Sequence, residues 1–205
     1  MDLILVRHGD VEAAPGLCLG QTDAPLSASG FGAVQQLAAT WTQGAPRFLF
    51  SSDLKRAQQA AQIFAARFAI EPLFDARLRE VNLGDWDGKR WEDVMRSDAA
   101  RYEHWSANWV IQEAPGGESF ADAIRRTGAW LASVLSSTHD EDTVLAVAHA
   151  GSIRALLCHR NISGEIEHPI YLTILFHDRN AMFPGLVINT GDHEIPRIKG
   201  SRLHG

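Results

Sequence analysis

Two short apolar runs, each ending in a histidine, constrain the fold of this chain more than any other feature. Residues 3–6 lead into Arg7-His8-Gly9, and residues 143–148 lead into His149-Ala150-Gly151. Short runs of this kind are typical of strands that are buried on both faces of a parallel sheet. In open sheets of this class, ligands bind at the carboxyl ends of the strands. His8 and His149 are therefore predicted to lie at a binding site.

Strand and helix patterns alternate along the chain, which predicts a parallel-rich sheet with helices on both faces. The predicted fold class is α/β: a three-layer α/β/α sandwich with a mostly parallel sheet and a helical cap insertion. The predicted strands lie at 3–6, 48–52, 72–75, 143–148, 171–176 and 186–189, and antiparallel pairing is an option for the last two. The predicted helices lie at 28–43 after an N-cap at Ser27, at 53–68, at 119–137 after a Ser119–Asp122 capping box, and at 152–159.

One segment differs in character from the rest of the chain. Residues 84–117 hold Trp86, Trp91, Trp105 and Trp109 together with Tyr102 and many charged residues. We interpret this segment as an inserted, mostly helical cap that ends at the Pro-Gly-Gly of 115–117. With the cap included, the 205 residues are expected to form a single domain, 1–205.

Charge and composition exclude several classes of protein. The net charge of −6 argues against a general nucleic-acid binder, which would show a basic face. The sequence has no run long enough for a membrane span, and residues 3–6 are too short for a signal peptide. Cys18 and Cys158 do not make a disulfide framework, so both are expected to be reduced thiols. We therefore expect a cytoplasmic protein without nucleic-acid or membrane partners.

Two further segments place charged side chains near the predicted strand ends. Residues 48–52 run into a helix that carries Arg56 in its first turns, and Glu80 lies in a loop after the following strand. The planar fork of arginine binds phosphate through two hydrogen bonds and stays protonated. Arg7, Arg56 and a protonated His149 are therefore expected to form a cage around a phosphoryl group.

This set of residues predicts phosphoryl transfer through a histidine. A neutral imidazole can attack phosphorus in line and split one difficult step into two easier ones. His8 is the expected nucleophile because it adjoins Arg7 and Gly9, and Gly9 would let backbone N–H groups approach the phosphate. Glu80 is expected to protonate the leaving alkoxide and then to deprotonate the hydrolytic water. No cofactor is expected, because fixed cations take the place of a metal and no metal-ligand spacing is found.

The same segments resemble the histidine phosphatase superfamily, in its phosphoglycerate-mutase-like branch. The similarity extends from residue 3 to about residue 157, in stretches at 5–9, 20–27, 51–57, 80–88 and 147–151. Each motif is short, but their order and separation are specific. The resemblance implies phosphorylation of His8, phosphate binding by Arg7, Arg56 and His149, and acid–base catalysis by Glu80. It also implies that a small phosphorylated metabolite is contacted by Gly20, Gln21, Thr22 and Ala150.

Two departures from the family pattern affect the phosphate site. Asp10 and Val11 stand where many members have Glu-Thr, and Ala14 stands near the position of a usual Asn. One phosphate-contacting side chain is therefore expected to be missing. Our hypothesis is that Gln21 or Thr22 supplies the replacement hydrogen bond.

The cap resembles that of the alpha-ribazole phosphatases of cobalamin synthesis, a group of small bacterial members. The similar residues are Tyr102, Trp105, Trp109 and 115–120. An aromatic-walled pocket would suit a base-bearing ribotide such as alpha-ribazole 5'-phosphate, through stacking. The alternatives for the tryptophans are that they form the core of the cap itself or the interface of a homodimer.

Three other functions stay open at this point. A phosphoglycerate-type mutase would transfer the phosphoryl group back to a sugar-acid intermediate, and the modest loop between Trp86 and Pro115 disfavours it. A non-catalytic phospholigand-binding domain has the loss of the usual Thr and Asn as its only support. A metal-dependent hydrolase would use His8 and His149 as ligands, and it ranks last.

Overall fold

The computed structural model describes residues 1–163 and 171–175, with side chains described up to residue 159. The strands are β1 (Asp2–Arg7), β2 (Phe48–Ser51), β3 (Pro72–Phe74), β4 (Thr143–Ala148) and β5 (Tyr171–Leu175). The helices are α1 (Ala28–Ala39), α2 (Lys55–Phe68), α3 (Trp91–Ser97), α4 (Ala99–Asn108), α5 (Phe120–Leu135) and α6 (Ala150–Ser163). Short 3-10 turns occupy Ala76–Leu78 and Gly84–Trp86. The sheet order is β3-β2-β4-β1-β5, and each neighbouring pair is parallel.

The neighbouring strands β1 and β4 are buried on both faces of the sheet, as their apolar runs predict. Successive residues of β1 point to opposite sides, because side chains alternate along a strand. Leu5 packs in a cluster with Trp130 of α5, whereas Val6 packs in a second cluster with Val34 of α1 and Phe64 of α2. All five side chains are buried. Helices therefore cover both faces of the sheet, and the predicted site lies at the carboxyl ends of its strands.

The helix starts agree well with the sequence, but two ends do not. Ser27 caps α1 by accepting a hydrogen bond from the Gly30 N–H at 3.0 Å, and the predicted capping box of Ser119 is present. The helix α1 ends at Ala39 rather than near residue 43. Beyond its end, the ring of Trp41 packs edge-on against α2, 5.4 Å from the ring of Phe64. At the other end of the chain, α6 spans Ala150–Ser163 and is longer than predicted.

The last described strand corrects one expectation. Antiparallel pairing is open from the sequence for residues 171–176, but β5 pairs with β1 in parallel, from Asp2 opposite Tyr171 to Val6 opposite Leu175. A parallel neighbour requires a crossover connection, and α6 lies between β4 and β5 in the chain. The predicted strand at 186–189 lies outside the described residues.

The rings of the cap pack mainly on each other. Trp86 is 1% exposed and lies 5.4 Å from Trp105 and 6.2 Å from Tyr102, measured between ring centroids. The indole N–H of Trp86 donates to Asp98 at 2.9 Å. This packing favours the interpretation of the rings as a core of the cap. Trp105 also lines a cleft of about 570 Å³ on the cap, beside Arg101.

Candidate active site

The carboxyl ends of three adjacent strands bring the predicted histidines together. His8 follows β1 and His149 follows β4, and their ring centroids are 4.9 Å apart. The sheet ladder extends one residue past β1 and β2: the His8 N–H donates to the Ala148 carbonyl at 3.1 Å, and the Ser52 N–H donates to the Val147 carbonyl at 2.9 Å. A sheet hydrogen bond therefore fixes where the His8 ring begins, whereas the His149 N–H donates to the Ser152 hydroxyl of α6 at 3.1 Å.

Arg56 joins the two rings from the start of α2. Its side chain is buried, and its Nε–H lies 3.2 Å from both Nε2 of His8 and Nδ1 of His149. The terminal nitrogens donate to the carbonyls of Thr22 at 2.7 Å and Gly20 at 2.8 Å. Gly20 and Thr22, expected to contact substrate, thus use their backbone carbonyls to hold the guanidinium. The predicted convergence of Arg56 with both histidines is present.

The hydrogen bonds of the two rings define which nitrogen carries the proton. Nδ1 of His8 lies 2.6 Å from the Gly9 carbonyl, which can only accept, so this nitrogen is the donor. Nε2 of His8 then keeps its lone pair. In His149 the roles are reversed: Nδ1 faces the Arg56 donor, and Nε2 lies 2.8 Å from the hydroxyl of Ser52. Each ring is therefore arranged as a neutral imidazole.

Electrostatics agree with neutral rings. Burial, followed by the charges of Arg56 and Arg7, lowers the pKa of His8 well below the usual 6.5. Burial and the charge of Arg56 likewise lower the pKa of His149 well below 6.5. A buried ring beside a guanidinium resists a second positive charge, so these surroundings by themselves favour the neutral form of His149. The expected protonation of His149 beside a phosphoryl group stays a prediction. Arg7, the half-buried last residue of β1, contributes to both shifts.

Glu80 lies beside the first turn of α6, which directly follows His149. Its Oε1 accepts the Val81 N–H at 2.9 Å, and its Oε2 accepts the Gly151 N–H at 3.1 Å. A Cβ at position 151 would lie 2.1 Å from Oε1 of Glu80, so a larger residue there would displace the carboxyl group. Ala150, expected to bind substrate, is half-buried at the first position of α6. The carboxyl group is thus tied to the loop that carries His149.

Gln21 and Thr22 both contact protein groups, and the hypothesis that one of them binds the phosphate stays a prediction. The Gln21 N–H donates to Oδ2 of Asp87 at 3.0 Å, and its side-chain amide donates to the Glu80 carbonyl at 3.1 Å. The hydroxyl of Thr22 faces Oδ1 of Asp87 at 3.5 Å. Both side chains thus bind protein groups, and Asp87 anchors the loop whose carbonyls hold Arg56. Asp87 was not among the predicted site residues, although its place in the matched stretch 80–88 was a signal.

Gly9 approaches the helix α1 closely, and its expected approach to a phosphate stays a prediction. A Cβ at position 9 would lie 2.3 Å from the Gly30 carbonyl oxygen of α1. A Cβ at Gly30 would meet the Asp10 carbonyl at 2.1 Å. The backbone after His8 therefore packs directly against α1, and Gly9 is needed for that contact.

Three further residues of the site were not found from the sequence. Ser52 orients His149, as described above, and its position directly after β2 was the available signal. Arg126 and Glu118 contact the backbone on either side of Glu80. The place of Glu118 in the similar stretch 115–120 was a signal, whereas nothing local in the sequence marks Arg126.

Among the described residues, no group of three or more His, Cys, Asp or Glu side chains could hold a metal ion. No helix in the described part of the chain has both the length and the hydropathy to span a membrane.

The chain is similar to known phosphatases over most of its length. It is 33% identical over 166 residues to a glucosyl-3-phosphoglycerate phosphatase of Mycobacterium tuberculosis, covering 75% of this chain and 72% of the relative. It is 28% identical over 158 residues to an adenosylcobalamin/alpha-ribazole phosphatase of Escherichia coli, covering 77% of each. The crystal structure of the alpha-ribazole phosphatase from Shigella flexneri superposes with a TM-score of 0.69 at 30% identity, over 78% of both chains.

These similarities confirm the predicted fold class, an α/β sandwich with a mostly parallel sheet. The sequence model of the histidine phosphatase superfamily (branch 1) matches residues 3–174, which include every residue assigned to the site. The protein therefore belongs to branch 1 of the histidine phosphatase superfamily and is a phosphatase of that family.

Proposed function

We propose that the protein hydrolyses phosphomonoesters without a metal ion, through a phosphohistidine formed on His8. The observation that carries this proposal is the orientation of the His8 ring. Nδ1 is anchored on the Gly9 carbonyl at 2.6 Å, so the lone pair is on Nε2, the atom that lies 3.2 Å from Nε of Arg56. A neutral imidazole with its lone pair on Nε2 is the nucleophilic form.

In the first half-reaction, Nε2 of His8 attacks phosphorus and the ester P–O bond breaks. The negative charge on the transferring group is stabilised by Arg7 and Arg56, and Arg56 is held in place before the substrate arrives. The carbonyls of Gly20 and Thr22 keep Arg56 in place at 2.8 and 2.7 Å. A phosphate dianion beside His149 favours the protonated form of that ring, which then adds positive charge to the cradle.

Glu80 is proposed to move the protons of both half-reactions. As a carboxylic acid it donates a proton to the leaving oxygen, and as a carboxylate it then takes a proton from water. That water attacks phosphorus, the P–N bond breaks, and phosphate leaves a neutral His8 and a protonated Glu80. The two backbone N–H groups of Val81 and Gly151 fix the carboxyl group for this exchange, at 2.9 and 3.1 Å.

The proposed substrate is a small phosphorylated metabolite, with alpha-ribazole 5'-phosphate as the first candidate. Similar proteins named as alpha-ribazole phosphatases support this choice, but a relative of comparable similarity is named for a phosphorylated sugar acid. Trp105 is the ring of the cap cluster that also lines the cap cleft. If it stacks on a base, Trp105→Ala should raise KM for alpha-ribazole 5'-phosphate and leave KM for p-nitrophenyl phosphate unchanged.

The test is phosphate release from a panel of phosphomonoesters, assayed with and without EDTA. The panel contains p-nitrophenyl phosphate, alpha-ribazole 5'-phosphate, phosphoserine and glycerate phosphates. We expect release that EDTA does not lower and that His8→Ala abolishes. Loss of activity in EDTA would instead indicate a metal-dependent hydrolase, and phosphoryl exchange between glycerate phosphates without release would indicate a mutase. No turnover of any ester would indicate a binding domain.

A further inference from the structure

We infer that Arg126, paired with Glu118, is a positioning residue that holds Glu80 in place for proton transfer to the leaving group. The inference rests on the function proposed above. Arg126 lies in α5, and Glu118 directly precedes Ser119, the N-cap of that helix. Both side chains act on the backbone of residues 77–82, the segment that carries Glu80.

Arg126 binds this segment before and at Glu80. One terminal nitrogen donates to the Arg77 carbonyl at 2.7 Å, and the other donates to the Glu80 carbonyl at 3.1 Å. The Glu80 carbonyl also accepts the side-chain amide of Gln21 at 3.1 Å. Two donors from different parts of the chain therefore converge on the backbone of the residue that is proposed to carry the proton.

Glu118 binds the same segment just after Glu80. Its Oε1 accepts the Asn82 N–H at 2.8 Å, and its own N–H donates to the Asn82 carbonyl at 3.0 Å. The same carboxylate pairs with Arg126 through two contacts, Nη2 to Oε1 at 2.7 Å and Nε to Oε2 at 3.0 Å. One ion pair with two hydrogen bonds between its partners thus holds the backbone on both sides of Glu80.

The pair of Arg126 and Glu118 is more buried than the neighbouring ion pair of α5. The side chains of Arg126 and Glu118 are 19% and 16% exposed, whereas the neighbouring Arg125 is 76% exposed in its pair with Asp122. A partly buried pair with two hydrogen bonds fixes the position of its side chains better than a solvated pair. Removing one partner leaves the other charge partly buried and unpaired. Arg125 therefore serves as a matched control on the same helix.

Arg126 also reaches the site through its charge. Burial is the main cause of the lowered pKa of His149, the charges of Arg56, His8 and Arg7 follow, and the charge of Arg126 makes the smallest contribution. Positioning of Glu80 and the electric field at His149 are therefore separate consequences of one side chain. Arg126→Lys distinguishes them, since lysine keeps the charge and loses the fork.

The experiment measures kcat/KM for p-nitrophenyl phosphate, phenyl phosphate and glycerol 2-phosphate, because kcat/KM reports the first phosphoryl transfer. A nitrophenolate leaves without a proton, whereas an alkoxide needs one, so displacement of the acid affects the alkyl ester selectively. For Arg126→Met we expect a loss of roughly 10- to 100-fold on glycerol 2-phosphate and less than about threefold on p-nitrophenyl phosphate. Phenyl phosphate should fall between them, and Arg125→Met should change none.

Arg126→Lys and Glu118→Gln are expected to show the same dependence on the leaving group. These two variants test the positioning role if Arg126→Met does not fold. Equal losses on all three esters, no loss, or wild-type ratios in Arg126→Lys would overturn the positioning role. Glu80→Gln tests the proposed function separately from the inference about Arg126. If its loss of kcat/KM does not depend on the leaving group, the acid role in the proposed function is wrong. If Glu80→Gln is the only variant whose loss depends on the leaving group, only the inference about Arg126 is wrong.

Discussion

The two halves of the site are held in place by different interactions. His8 and His149 directly follow β1 and β4, His8 is bonded into the sheet, and His149 is bonded to the first turn of α6. Glu80 lies in a loop whose position depends on side chains from distant segments, Gln21 and Arg126 among them. The nucleophile half therefore depends on the ends of regular elements. The acid half depends on side-chain contacts between distant segments, so substitutions far from the reacting atoms should affect it.

Arg56→Lys should have the largest effect, because it removes the centre of the nucleophile half. Lysine keeps a charge but loses the Nε–H shared by His8 and His149 and the fork on the carbonyls of the 19–22 loop. We expect kcat/KM for p-nitrophenyl phosphate to fall about 10³-fold. Arg47→Lys, in a pair whose arginine is 59% exposed, should stay within about twofold of wild type. Near-normal activity of Arg56→Lys would show that the rings do not need this bridge.

Gly151→Ala should have the next largest effect, at the contact between the two halves. The added Cβ would lie 2.1 Å from Oε1 of Glu80, so the carboxyl group or the His149 loop must move. We expect kcat for an alkyl phosphate to fall about 10²-fold, the contribution of a misplaced acid. Gly32→Ala, where a Cβ meets nothing within 4 Å, is the control and should remain fully active. An active Gly151→Ala enzyme would contradict the assignment of Glu80.

Asp87→Ala should have a smaller effect, because Asp87 acts on Arg56 only through the 20–22 loop. Its carboxylate holds the Gln21 N–H, and the carbonyls next to Gln21 hold Arg56. We expect about tenfold lower kcat/KM with a fold that stays intact by circular dichroism. Asp93→Ala, which removes a half-exposed carboxylate in the cap, is the matched control. Equal activity of the two variants would remove Asp87 from the account.

The pH profile should change least. The lowered pKa of His8 keeps the imidazole neutral as the pH falls below the usual 6.5, so the nucleophile persists in mild acid. A histidine with its usual pKa would lose about tenfold of its neutral form by pH 5.5. We expect kcat/KM, corrected for ionisation of the substrate phosphate, to fall by less than about twofold between about pH 7 and 5.5. A tenfold fall over that interval would contradict a buried, depressed His8.

The nucleophile half could be predicted because its signals are local. An apolar run followed by His8, a second followed by His149, and a helix that carries Arg56 after a third strand each lie within a few consecutive residues. Parallel pairing of β1 with β4 and of β4 with β2 then brings those strand ends to one edge of the sheet.

The support of the acid half could not be predicted, because it depends on contacts between distant segments. Arg125 and Arg126 are adjacent and chemically identical, and only the packing of α5 against the 77–82 loop leaves one 76% and the other 19% exposed. The glycines show the same limit. Gly9 and Gly151 were marked by the sequence, but the atoms they approach, in Gly30 and Glu80, lie far along the chain.

The most direct test of the central claim is to locate the phosphoryl group on the enzyme. The protein is mixed with p-nitrophenyl phosphate, quenched in alkali to preserve phosphohistidine, digested and sequenced by mass spectrometry. The account predicts a phosphoryl group on His8, formed and lost at rates that match turnover, and none in His8→Ala. Turnover with the phosphoryl group on another residue, or with His149 as the site of modification, would contradict it.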